Sequence, residues 1–324
     1  MGKYVPPFTI SNKMLELVGS IMEKVGKLDN YSNLNKMPVL RRNNRIHSIH
    51  SSLAIEANSL SFNQVKDVIN GKLVLGDKKE IQEVKNAYKA YELIKDINPY
   101  SIKDLLKIHG VMTFLTVEES GVFRKGEEGV FDEHGNCIFI APKPEYVESL
   151  MNDLFNWMKE SKDEIHPLIL SSIFHYEFVF IHPFSDGNGR MARFWVSLIL
   201  TKWNPKFEYI PIEEEIYLNQ QKYYDSIAQC HVNGNVNVFI DFMLMCINSS
   251  LEKITQKTTQ KIKLNNNQLK IIELIKENPK ITRNELSKKL NITSDGVKYN
   301  LKKLVDNKII ERIGPDNGGY WEIR

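Results

Sequence analysis

Residues 182–190 read His-Pro-Phe-Ser-Asp-Gly-Asn-Gly-Arg, and Arg193 follows one turn later. Apolar runs flank the stretch, Leu168 to Ile181 before it and Phe194 to Leu200 after it. Helices that are apolar on every face are buried ones. Pro183 ends the first, and the glycines at 187 and 189 mark a turn into the second. The stretch is therefore expected to be a rigid loop joining two core helices. It also carries chemistry. His182 can take up a proton near neutral pH. Asp186 offers a hard oxygen suited to Mg²⁺. Gly187, Asn188 and Gly189 can turn successive N–H groups toward an anion where a helix starts. Arg190 and Arg193, three apart, share a helix face. Together these parts suit polyphosphate transfer to a nucleophile that must lose a proton. The plainer reading is a glycine turn with a histidine cap.

Outward from this loop, helical periodicity dominates up to about residue 250. Leu15, Val18, Ile21 and Met22 mark a first amphipathic helix ending near Gly26. Met37 to Ala57 reads as a second, basic at Arg41, Arg42 and Arg45. Ser61 and Gln64 form a capping box for the next, which ends at Gly71. Another helix is expected from Lys79 to Ile97, and Ser101 caps the one after. Val130-Phe131 and Cys137 to Ile140 flank Asp132 to Asn136, a hairpin signal, closed by Pro142 and Pro144. A lone hairpin among helices is marginal by itself, so it is expected to be used. A helix then runs to Met158.

Residues 251–266 are polar and read as a linker or helix extension. A different unit follows over 267–324. Ile271, Leu274 and Ile275 form one helix face, Thr282 and Glu285 a capping box, and Thr293 or Ser294 caps a helix through Val305. Ile309-Ile310 and Tyr320-Trp321 flank a glycine-rich turn at 314–319, the pattern of a wing.

At 324 residues the chain is expected to hold more than one domain. Hydrophobic content of 42% and charge of 26% are ordinary for a globular protein. No stretch has the length of an apolar membrane span, so no membrane partner is expected. Cys137, Cys230 and Cys246 make neither a zinc pattern nor a disulfide framework, which fits a reducing cytoplasm. The net charge of +3 is too weak to argue for nucleic acid by itself. It is uneven, however: from Leu264 onward there are 12 Lys and Arg against 8 Asp and Glu.

The run 182–193 resembles the signature of the Fic family, His-x-Phe-x-(Asp/Glu)-Gly-Asn-Gly-Arg-x-x-Arg, at every specified position. The resemblance spans most of residues 1–250. It implies a mainly α-helical fold: an N-terminal helical region at 1–99, a Fic core at 100–250 with a short β-hairpin flap, a linker at 251–266 and a winged helix-turn-helix at 267–324. It implies protein adenylylation, with AMP moved from ATP to a Ser, Thr or Tyr hydroxyl and pyrophosphate released. His182 would be the base. Asp186 would hold Mg²⁺ or Mn²⁺ bridging the α- and β-phosphates. Gly187, Asn188 and Gly189 would cradle the α-phosphate, and Arg190 and Arg193 would grip the β- and γ-phosphates. Phe184 is expected to anchor the loop in the core.

The resemblance also implies that a target protein pairs with the flap edge. Ile140, Ala141, Pro142 and Lys143 close the flap near the adenosine, while Tyr223, Tyr224 and Asn233 are candidates for the base and ribose, with aromatic packing the plainer role for each tyrosine. Arg124 precedes the flap in a recurrent family segment. Ser52 and Glu56 match the family's inhibitory motif, (Ser/Thr)-x-x-x-Glu-(Gly/Asn), and Ala57 departs from its last position. Glu56 is then expected to pair with Arg193 and block the γ-phosphate site. Alternatives within this frame are removal of AMP with Glu56 positioning a water, an enzyme running in both directions, transfer of another phosphate-linked group, or a DNA-binding regulator with the Fic core as a sensor. Further expected partners are the chain itself, by self-modification or as a homodimer, and DNA through Lys298, Lys302 and Lys303.

Overall fold

The computed structural model describes residues 4–29, 38–131, 137–260, 264–306, 309–315 and 318–323. Two compact units result, Met1–Thr255 and Gln256–Arg324.

In the first unit, α1 (Asn12–Asp29), α2 (Pro38–Ile55), α3 (Phe62–Ile69) and α4 (Lys78–Glu92) precede a short 3₁₀ turn at Leu93–Asp96. Then come α5 (Ile102–Met112), the hairpin β1 (Gly129–Phe131) and β2 (Cys137–Ile140), α6 (Pro144–Ser161), α7 (Pro167–Ile181) and α8 (Asn188–Trp203). A 3₁₀ turn at Pro205–Tyr209 leads to α9 (Ile212–Leu218), α10 (Gln220–Asn233) and α11 (Asn237–Gln260). The local signals explain the boundaries. Ser61 accepts from the Gln64 N–H and Gln64 answers it, so the capping box opens α3 as expected. Ser101 accepts from the Asp104 N–H at the start of α5. Residues 251–260, expected as linker, continue α11, so the helix-extension reading of that stretch describes them.

Helices α7 and α8 are the centre of the core. Phe174, Phe178, Phe194 and Trp195 are fully buried, and Trp195 donates to the Pro99 carbonyl at 3.0 Å. Burying a side chain of this size stabilises by roughly 1.5–3 kcal/mol. The loop between the two helices is thus clamped at both ends. The helices α1 to α4 share the same apolar core rather than forming a separate one, through residues such as Ile46, Ile49, Val84 and Tyr91.

The flap strands pair antiparallel, Gly129 opposite Ile140 and Val130 opposite Phe139, with a register shift before Phe131 opposite Cys137. The turn expected at Asp132 to Asn136 lies outside the described residues, as do Met37 and the side chain of Arg41.

The second unit contains α12 (Asn266–Glu277), α13 (Arg283–Leu290), α14 (Ser294–Asp306) and the antiparallel pair β3 (Ile310–Ile313) and β4 (Tyr320–Ile323). Ile271, Leu286, Val297, Leu304 and Ile310 form its own core. The Thr282–Glu285 capping box is present, and Thr293 Oγ1 accepts from the Gly296 N–H at 3.1 Å. An unforeseen second box, Asn265 with Gln268, opens α12. Three helices and a wing hairpin make this a winged helix-turn-helix, with Asp316 and Asn317 outside the described residues. Among the described residues no helix is long and apolar enough to cross a membrane.

Candidate active site

His182 is the cap of α7, in the left-handed region at φ 52°, and its N–H donates to the Phe178 carbonyl at 3.0 Å. This tight turn lifts the ring out of the helix. Its Nδ1 lies 3.3 Å from the Val179 carbonyl. A carbonyl only accepts, so Nδ1 carries the proton and Nε2 keeps its lone pair. Burial pushes the pKa of His182 below the ordinary value, against the Val179 bond, with Arg124 lowering it further. A neutral imidazole with a free Nε2 is the form a general base needs.

Beyond His182 the loop is braced from several sides. Phe184 is fully buried and stacks on His109 of α5 at 3.6 Å and 4°, so it anchors the loop as expected. His109 accepts the Gly121 N–H on Nδ1 at 2.9 Å and meets the Asp186 carbonyl with Nε2 at 3.0 Å. Burial pushes its pKa down to about 4, so it is a neutral strut. The Asn188 side chain accepts from the Phe184 N–H at 3.0 Å and donates to the Phe184 carbonyl at 2.7 Å. These two bonds fix the Asn188 side chain to the loop, with its backbone N–H at the start of α8. Arg124, 3% exposed, makes no described ion pair; it donates to the carbonyls of His182 (2.6 Å), Gly126 (2.7 Å) and Pro142 (2.5 Å). It fastens both ends of the flap to the loop.

The start of α8 has the geometry that suits an anion. Gly187 adopts φ 87°, where a Cβ would come 3.2 Å from Thr113 Cγ2, and no side chain caps the helix. Its first N–H groups carry the positive end of the helix dipole. A Cβ on Gly189 would run into the Glu56 carboxylate and lie 3.1 Å from Arg193 Nη1. A side chain at 189 would displace the Glu56 carboxylate, which rests against this glycine.

That carboxylate arrives from α2. Arg193, 1% exposed, donates through Nη2 to Glu56 Oε1 at 2.7 Å and to the Ser52 carbonyl at 2.9 Å, and through Nε to the Ser52 hydroxyl at 3.0 Å. Burial pulls the Arg193 pKa down, but Glu56, Tyr223 and Tyr224 more than offset it, and it stands above the usual arginine value. Glu56 caps α2. Ala57 takes φ 64°, donating to the Ala54 carbonyl, and the Asn58 N–H donates to the Leu53 carbonyl, both at 3.1 Å. This pair of hydrogen bonds around a left-handed residue is the Schellman ending, which usually has glycine where Ala57 stands.

Arg190 is 4% exposed and lies between two acids: Asp186 Oδ1 at 2.8 Å and Glu83 Oε1 of α4 at 3.1 Å. Asp186 also accepts from the Gly187 N–H at 2.5 Å. Arg190 Nε and Arg193 Nη1 are buried donors with no acceptor among the described residues. Buried unpaired donors are rare and costly, and here they suit a ligand rich in oxygen anions. Among the described residues no group of three acidic, His or Cys side chains could hold a metal ion. A Mg²⁺ bound by one carboxylate and substrate phosphates requires no such group, and the Asp186 side chain is 41% exposed.

The less central candidates separate. Tyr223 is 3% exposed, its hydroxyl 2.9 Å from His175 Nε2 and beside Arg193. Tyr224 is 46% exposed and donates to the Ile55 carbonyl at 3.3 Å, beside Gln220, which donates to the same carbonyl at 3.2 Å. Both thus hold the end of α2. Ile140 is 76% exposed, Ala141 is buried, and Lys143 is exposed. Pro142 is drawn to the loop by Arg124. Asn233 is exposed at the end of α10, its carbonyl facing Asn235, and no described contact brings it to the motif. His231 stacks on Phe139 of the flap at 4.5 Å. Sequence reasoning missed His109, Glu83, Asn58 and Gln220, because nothing in the sequence sets them apart from the other polar residues of their helices and helix ends.

Residues 99–200 match the Fic/DOC family. The crystal structure of a Fic family protein from Desulfovibrio desulfuricans G20 matches at 35% identity and a TM-score of 0.76, over 99% of this chain and 98% of that one. The chain belongs to the Fic family. This Fic chain is also 29% identical over 222 residues to protein adenylyltransferase Fic of Nematostella vectensis, covering 66% of this chain and 49% of that protein. It is 27% identical over 254 residues to protein adenylyltransferase fic-1 of Caenorhabditis elegans, covering 75% and 47%. The Fic chain thus spans about half the length of the adenylyltransferases it matches. Residues 264–311 match a winged helix-turn-helix DNA-binding family.

Proposed function

We propose that this Fic chain transfers AMP from ATP to a Ser, Thr or Tyr hydroxyl of a target protein and that Glu56 restrains it. The observation that carries the reading is one shared seat: the Glu56 carboxylate rests on the start of α8 and on Arg193, where the motif would bind phosphate. His182 Nε2 takes the proton of the incoming hydroxyl. The hydroxyl oxygen bonds to the α-phosphorus, the bond to the β-phosphate breaks, and pyrophosphate leaves with the electron pair. The amides at the start of α8 hold the α-phosphate, and Arg190 and Arg193 neutralise the leaving pyrophosphate. Asp186 would hold a bound Mg²⁺ or Mn²⁺, which supplies charge neutralisation across the phosphates. With Glu56 in place Arg193 is already paired and the γ-phosphate has no seat.

The test is intact mass of the purified chain after incubation with Mg·ATP, alone and with lysate, for wild type and Glu56→Gly. Added AMP on the variant or on a lysate protein, increased over wild type, supports the reading. No AMP on any protein with either form refutes it. AMP removal from a pre-modified target, lost in Glu56→Gly, would instead assign the reverse reaction to Glu56. A homodimer and a target strand along the flap belong to the same reading.

The winged unit supports a second property, contact with duplex DNA. Helix α14 exposes Lys298, Lys302, Lys303 and Tyr299, with the Lys303 ammonium 5.7 Å from the Tyr299 ring. Binding through these cations should weaken steeply as salt rises.

A further inference from the structure

The carboxylate of Glu83 stands outside the motif and outside the inhibitory segment, yet it is bonded to both. Its Oε1 accepts from Arg190 Nη1 at 3.1 Å, and its Oε2 accepts from Asn58 Nδ2 at 2.9 Å. Asn58 is itself fixed. It is 9% exposed, its Nδ2 also reaches the Glu80 carbonyl at 3.3 Å, and its Oδ1 accepts from the Leu60 N–H at 3.2 Å. Glu83 is therefore oriented from behind and faces a guanidinium that is 4% exposed.

A guanidinium has five N–H donors in one plane. Glu83 engages Nη1, Asp186 engages Nη2, and Nε has no partner among the described residues. Glu83 thus leaves donors over for a ligand while setting the plane in which they lie. It also sets a charge balance. If Asp186 were the sole counter-charge of this buried cation, moving its carboxylate to another positive group would leave Arg190 unpaired, which is strongly unfavourable. With Glu83 present, Arg190 keeps a carboxylate when Asp186 turns away.

We propose that Glu83 is the positioning residue of Arg190: by holding the guanidinium and balancing its charge, it frees Asp186 to bind a divalent cation together with a nucleotide, and Asn58 orients it for that task. The proposal rests on the nucleotidyl-transfer reading of the site. It sets Glu83 apart from Glu56. The carboxylate on Arg193 blocks a phosphate seat, whereas the carboxylate on Arg190 prepares the cation seat.

The experiment uses the full chain carrying Glu56→Gly, so that the phosphate seat is open. Mn²⁺ binding is followed by electron paramagnetic resonance in the presence of a non-hydrolysable ATP analogue, with no transfer required. Glu83→Gln is expected to weaken Mn²⁺ binding roughly 3–10-fold, in the lower part of the range of couplings within one ion-pair network. Asn58→Ala, which keeps the carboxylate but loosens it, is expected to weaken it by a smaller factor. Glu80→Gln removes a charge one turn away on the same helix, at a residue whose carboxylate engages Ser59 instead; it is expected to leave Mn²⁺ binding unchanged. Should Glu83→Gln fail to fold, judged by its thermal melt, Asn58→Ala against Glu80→Gln decides. Unchanged binding in Glu83→Gln, or equal weakening in Glu83→Gln and Glu80→Gln, overturns the proposal while the transfer reading stands. If the parent Glu56→Gly chain takes up no Mn²⁺ with nucleotide, the transfer reading falls and the proposal with it.

Discussion

Ala57→Gly is expected to tighten the restraint. Ala57 holds φ 64° at the position of the α2 ending where glycine is usual. A residue with a Cβ in that conformation costs about 1 kcal/mol or somewhat more. Glycine removes this strain but loses more entropy on folding, so the net gain is roughly 0.5–1 kcal/mol. Both Schellman bonds, Ala57 to Ala54 and Asn58 to Leu53, remain available to the variant. The stabilised segment is the one that seats Glu56, so the fraction of molecules with the seat released should fall. A shift of that size is about two- to fivefold in population. For a unit this large it corresponds to a rise of roughly 1–4 °C in midpoint. The assays are thermal melting and basal AMP transfer, read as self-modification. The variant should melt higher and transfer about two- to fivefold more slowly. In a Glu56→Gly background the effect on transfer should vanish, because no carboxylate is left to seat. A variant that transfers faster than wild type, or that slows Glu56→Gly equally, refutes this account.

His182→Ala should lower transfer by about 10²–10⁴-fold, with nucleotide binding kept, measured by single-turnover rate and calorimetric titration with ATP. Because burial lowers the His182 pKa, the base form persists into acid, so the acid limb of the pH–rate profile should lie below the ordinary histidine value. His109 is neutral when folded down to about pH 4 but protonates near its ordinary value when unfolded, so the unfolded chain binds more protons in between. Stability should then fall as pH drops from about 6.5 toward 4, by at most about 3 kcal/mol from this residue, and His109→Phe should flatten that slope in urea melts. Glu56→Gly leaves Arg193 buried without its carboxylate, so ATP should raise its melting temperature more than it raises that of wild type.

The helical frame was legible because its signals are local. Apolar runs around residues 182–193 predict two buried helices, and α7 and α8 are buried along nearly their whole length. Capping boxes at Ser61 and Thr282 open helices where the side-chain pattern says they should. The extension of α11 to Gln260 was not decidable from composition, since a polar helix and a polar linker share the same residues. The contact of Glu56 with Arg193 came from a motif and not from spacing, as 137 positions separate them. His109 and Glu83 had no such motif. Each is one polar residue among several on an amphipathic helix, and only packing decides which of them meets solvent and which meets a loop. Tyr223 shows the converse: adjacent tyrosines on one helix look alike in sequence, but successive residues point about 100° apart, so one enters the core and the other reaches the end of α2.

The energetics of the restraint follow from where its carboxylate stands. Glu56 closes the C-terminal end of α2, where the helix dipole is negative and an acid is unfavourable by several tenths of a kcal/mol. The residue after it is held in a left-handed conformation that its Cβ resists. Both local terms favour release. Against them act Arg193, which is buried and wants a counter-charge, and the uncapped start of α8, which attracts any anion. A polyphosphate satisfies the second pair of demands with more negative charge and incurs neither local penalty. On the proposed reading, the carboxylate and a phosphate would compete for one seat, and these opposed terms would set the balance. Such a balance can be moved by small changes at residues 56–58, whether by substitution there or by whatever binds the end of α2 at Gln220 and Tyr224.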